Sequence, residues 1–175
     1  MDKKMTELLD VELNELVGLV TEIDYEGDDF STMQRAGALA FSDLLANFTK
    51  DGTCKDKALI ALVLVRLDDL QVRDYAMGIT DSENIEHLFN MWRWLLQIAP
   101  VGYLAPIASL YSAVSYEKGD NALALAALEQ ALVDDPEYPL ALLLRRVYLA
   151  GWPAESFATM RKELHPKVCA ALFNE

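Results

Sequence analysis

Gly119-Asp120-Asn121-Ala122-Leu123-Ala124 separates two runs of helical periodicity, and the reading of that link decides the fold. Ahead of it, Ala105 to Lys118 sets Ile107, Leu110, Tyr111 and Val114 at helical spacing. Behind it, Leu123, Ala124, Ala127, Leu128, Ala131 and Leu132 recur at the same period. A link this short joins two helices only as an antiparallel turn. Gly119 lets the chain leave the first helix at positive φ. Asp120 is placed to cap the second, its carboxylate accepting from N–H groups that the first turn leaves unpaired. Asp135-Pro136 closes the second helix, because proline brings no donor and restricts the residue before it.

With Pro136 matched to the proline that ends a tetratricopeptide unit, Gly119, Ala124, Leu128 and Ala131 fall on the small or apolar positions of that motif. Ala108, Ser112 and Ser115 fall on its first-helix positions, serine standing where an aromatic is usual at the third. The hairpin therefore resembles a tetratricopeptide unit. The pattern restarts over Tyr138 to Ala150 and Gly151, then Trp152-Pro153 interrupts it, so the resemblance covers about one and a half units.

A narrower resemblance rests on Val72-Arg73-Asp74-Tyr75-Ala76, Leu88 to Trp94, Ala99-Pro100, Ala105-Pro106, Leu110 to Tyr116, Gly119 to Ala124, Ala131 to Leu143 and Gly151-Trp152-Pro153. Within residues 66 to 153 the chain is similar to the helical portion of the actinobacterial proteins grouped as domain of unknown function 4192. That resemblance implies a helical fold and carries over no catalytic residue. Members of the group often have an α/β region ahead of the helical part, which implies that this chain is a fragment or a short member.

The expected fold is all-α: antiparallel hairpins packed as a short, right-handed, tetratricopeptide-like array of about eight to nine helices. One helical domain, 1–175, is expected, with 1–100 as an N-terminal layer and 101–175 as the array and its C-terminal cap. Residues 5–23 read as an amphipathic helix with Leu8, Leu9, Val11, Leu13, Leu16, Val17, Leu19, Val20 and Ile23 on a broad apolar side. Asp24 to Ser31 reads as an acidic loop without the order of a calcium-binding hand. Helices follow over Met33 to Phe48, with Ala36, Leu39, Ala40, Leu44, Leu45 and Phe48 inward, and over Lys55 to Val65, capped by Thr53 and apolar enough to be the central buried helix. Leu67-Asp68-Asp69-Leu70 either continues that helix or marks a bend into one that ends near Gly78. Asp81 or Ser82 caps Glu83 to Ala99, and beyond the hairpin come Tyr138 to Ala150, Ala154 to Arg161 and a terminal Pro166 to Phe173.

Length suits one domain that hides roughly 70% of its extended-chain surface. The net charge of −13 opposes nucleic acid as a partner, since a phosphate backbone selects basic surfaces. Residues 1–30 hold ten acids against Lys3 and Lys4, so most of that charge is local. No apolar run reaches the length of a membrane span, and no export signal opens the sequence, which makes the cytoplasm the expected location. Cys54 and Cys169 are then expected as thiols.

Chemistry-bearing residues are sparse. Arg66, Asp68, Asp69, Arg73 and Asp74 form an ionisable cluster whose plain role is capping and pairing, with Asp69 and Arg73 four apart on one helical face. His165 and Cys169 share a face but lack the further ligands that zinc requires. Nucleophilic chemistry at Cys54 would need His87 brought to it by the fold. No glycine-rich phosphate loop occurs. No catalytic residue, metal or cofactor is called for. Surface recognition remains: the resemblance to tetratricopeptide arrays, whose first helices line the concave side, implies that Tyr116, Arg145 and Tyr148 stand there and take a protein or peptide. The basic residues Arg145, Arg146, Arg161, Lys162 and Lys167 would suit an acidic segment, such as residues 22–29 of the same chain or of a twin. The expected function is a protein–protein interaction module or scaffold, the alternatives being an accessory or regulatory fragment of a larger protein and a structural homodimer.

Overall fold

The hairpin around Gly119 forms as its sequence dictates. In the computed structural model, which describes residues 12–21 and 29–173, Leu104–Glu117 and Asn121–Asp134 are antiparallel helices. Gly119 sits at φ +85°, and Asp120 accepts from the Leu123 N–H at 3.0 Å. Asp134, at the far end of the second helix, reaches back to accept from the N–H groups of Gly102, Leu104 and Ala105 at 2.8–3.0 Å. One carboxylate thus meets the unpaired donors that open the first helix.

Among the described residues every regular element is an α-helix. These are α1 over residues 12–21, α2 (Phe30–Asp51), α3 (Lys57–Arg66), α4 (Leu70–Gly78), α5 (Ile85–Ile98), α6 (Leu104–Glu117), α7 (Asn121–Asp134), α8 (Pro139–Leu149) and α9 (Ala154–Phe173). α8 packs on both α6 and α7, so the three form about one and a half tetratricopeptide-like units. α2 anchors the other half, against α3, α4 and α5, with Phe41 stacked on Trp92 at 5.4 Å. α9 returns across α4 and α2 and joins the two halves.

Several boundaries differ from those expected. Asp56, not Thr53, caps α3 by accepting from the Leu59 N–H. The central buried helix is α6 rather than α3. α3 leaves Ala58 exposed and Leu59, Leu62 and Val65 half-buried, whereas all twelve residues from Ala105 to Tyr116 are buried. Ser109, Ser112 and Ser115 make this feasible, because small side chains let neighbours approach and two of the hydroxyls are matched inside the protein. Ser112 donates to the Ala124 carbonyl at 2.6 Å, and Ser115 to the Tyr111 carbonyl. α9 is one helix through Pro166, not two. α2 turns Gly37, Ala38 and Phe41 inward and leaves Ala36 and Leu39 exposed.

Of the amphipathic helix expected over 5–23, Leu13 and Val17 are buried, Leu16 and Val20 are half-buried and Leu19 is exposed. Its other apolar residues, and the acidic loop as far as Asp28, lie outside the described residues. α2 begins at Phe30, so the last two residues of that loop are helical. No described helix is long and apolar enough to cross a membrane.

Candidate partner-binding groove

α8 begins on Tyr138-Pro139, a proline at the first helical position where its missing N–H is not needed. Leu140, Ala141, Leu144 and Val147 face inward at helical spacing. Leu143, Arg146 and Ala150 recur three and four apart on the flank toward α9. After Gly151, at φ +68°, the chain reverses through Trp152-Pro153 into α9. The carbonyl of Trp152 accepts from the Tyr116 hydroxyl, which fixes the turn against α6.

Between these walls runs an apolar groove of about 280 Å3. Leu144, Val147 and Phe157 are buried at its base, and Met77, Leu143 and Met160 stand beside them. Leu143 is 49% exposed and Trp152 40% exposed. Trp152 and Met160 also border a shallower cleft with Ser156, Thr159 and Glu163. Large apolar side chains grouped around a concavity differ from the single exposed apolar residues normal on any surface.

The structure divides the three residues expected on the concave face. Tyr116 is only 6% exposed, stacked on Tyr148 at 4.3 Å and edge-on to Phe157. It is a packing residue, because α8 and α9 cover the face of α6 that a longer array would leave open. Tyr148 is half-buried, and its hydroxyl pairs with Ser112 at 2.8 Å; burial pushes its phenol above the ordinary range. Arg145 is exposed but falls on the flank of α8 near Ala141 and Tyr148. Arg146 is the arginine that lines the groove.

The ionisable cluster separates too. Asp69 caps α4, accepting from the N–H groups of Gln71 and Val72 and from the Gln34 amide. So engaged, it does not take the expected Arg73 pairing. Arg73 is buried, binds the adjacent Asp74 at 2.7 Å and lies over the Tyr138 ring at 5.9 Å. Burial pushes the Tyr138 phenol up to about 12 although Arg73 pulls it down. Arg66, Asp68 and Asp69 border a separate cleft of about 480 Å3 beside Phe30 and Tyr103.

The expected basic concentration loses Arg161, which is 3% exposed. Its Nε and Nη2 donate to both oxygens of Glu117 at 2.7–3.1 Å, and its Nη1 donates to the Thr80 carbonyl. No spacing rule signals a pair 44 residues apart. His165 packs its ring on Tyr75 and against Gly78, with Nε2 3.5 Å from the Cys169 sulfur. Cys54 and Cys169 form no disulfide; Cys54 is buried whereas His87 is exposed. No three of His, Cys, Asp and Glu converge as metal ligands among the described residues.

Comparison with protein families gives a match to the domain of unknown function DUF4192 over residues 2–155, a wider span than the 66–153 that carry the resemblance in the sequence. The chain belongs to the DUF4192 family. The matched residues run from the N-terminal helices of this DUF4192 chain through α8 and into the first turn of α9. Neither the curated proteins nor the solved structures yield a match.

Proposed function

We propose that this protein is a protein–protein interaction module whose binding surface is the groove between α8 and α9. A helical-repeat fold is compatible with such a scaffold, and the observation that carries the reading is the apolar groove flanked by half-exposed Leu143 and Trp152. Grooves of this build take the apolar face of a helix, whose anchors recur at i, i+3 or i+4, and i+7. Met77 and Met160 suit the task, because an unbranched thioether side chain refits to differently shaped anchors. Tyr116 and Tyr148 support the groove from beneath, holding the Trp152 turn and α8 against α6.

The test is affinity capture from a host that makes the protein, with the wild-type chain beside Leu143→Asp and Trp152→Ala. Both changes lie on exposed side chains, so each variant is expected to keep the wild-type melting profile. A partner retained by the wild type and lost by both variants supports the groove. Equal recovery with all three baits moves the surface elsewhere.

A further inference from the structure

The edge of the groove carries one sign of charge, and this restricts what it accepts. α8 has two charged residues, Arg145 and Arg146, both exposed and without an ionic partner among the described residues. Arg146 stands on the groove wall beside Leu143 and Val147. Glu163 borders the adjoining cleft with Trp152 and Met160 but does not line the groove, where Arg146 is the charged residue. A guanidinium next to apolar surface is a favourable place for a carboxylate, which gains planar, charge-assisted hydrogen bonds in a partly dry setting. Residues 31–175 carry a net charge of −5, so two copies that meet groove to groove bring like net charge together inside a screening length of about 8 Å at physiological salt, and only the acidic residues 1–30 of a twin would offset it. Resting on the reading of the groove above, we infer that its occupant is an amphipathic helix of another protein, with a carboxylate on the flank that meets Arg146.

The experiment is selection from a displayed library of helical peptides with leucine fixed at i, i+4 and i+7 and the flanking positions varied among Glu, Gln and Lys. Selection is run on the intact chain, on Arg146→Glu and on Leu143→Asp, each verified by its melting curve. The wild type is expected to enrich Glu over Lys by about tenfold at one flanking position, and Arg146→Glu to reverse that preference. Equal flank preference in those two proteins, with binding lost in Leu143→Asp, overturns the charge inference and leaves the groove standing. Binding indifferent to Leu143→Asp, or no selected peptide at all, overturns both. Self-association of the wild type that Leu143→Asp abolishes, seen by sedimentation, makes the occupant a second copy and overturns the partner named here.

Discussion

Arg161 joins parts of the chain that no sequence pattern connects. Its guanidinium is shared between the Glu117 carboxylate at the end of α6 and the carbonyl of Thr80 beyond α4. Removing one member of a buried pair leaves the other charged and unsolvated, so Arg161→Ala is expected to cost about 3–5 kcal/mol in urea unfolding. Replacing both, as Arg161→Met with Glu117→Leu, should cost less than the single change; a larger cost would count against this account. Gly78 is fixed by its neighbour: a Cβ there would lie 2.3 Å from His165 Nδ1. Gly78→Ala should lose about 1–3 kcal/mol, part of it regained when His165→Ala is added. His165 also gives a pH dependence. Burial, and then Arg161, lower its pKa from 6.5, and its Nδ1 is buried without a hydrogen-bond partner. The unfolded chain therefore binds the proton more readily, and stability is complete above about pH 6.5 and declines as pH falls toward the folded value. Melting at pH 7.5 and 5.5 should show a smaller loss for His165→Gln than for wild type.

Among the elements, what could be read from the sequence was what local chemistry controls. Gly119, Asp120 and Asp135-Pro136 bound α6 and α7 through turn and cap preferences that act within a few residues, and the structure keeps each of them. Apolar content misplaced the central helix, because it favours the Val- and Leu-rich α3 over a helix whose small residues and serines count for little. α6 is buried on all sides with many small residues of its own, and Ser112 and Ser115 look polar until their partners are known. The Trp152-Pro153 break was visible in the sequence, but its position beside the groove depends on α9 folding back. Tyr116 looked like a contact residue for the same reason: what covers it lies 32 and 41 residues further on, at Tyr148 in part and Phe157. Pro166 reads as a helix break, yet α9 passes through it, so the helix forgoes one hydrogen bond there. Pro166→Ala should raise stability by about 2 kcal/mol, the gain inside the helix exceeding the cost of a more flexible unfolded chain. Asp134→Ala, which strips three N–H groups of their acceptor, should lower it by about 1–2 kcal/mol in the same assay.

For the molecule as a whole, one layer built on α2 and one on α6 are joined by α9, and the same helix supplies the second wall of the groove. Stability and the proposed recognition thus share an element: Phe157 and Arg161 hold α9 in place while Met160, between them, lines the groove. Weakening the Arg161–Glu117 pair should therefore loosen the groove as well as the fold. The most direct test of the central claim is site-specific photocrosslinking in a host that makes the protein, with the reactive group at position 143 in the groove and, as control, at the exposed position 39 of α2. A discrete heterologous adduct from position 143 and none from position 39 is the predicted result. The same adducts from both positions, or from position 39 alone, would contradict it.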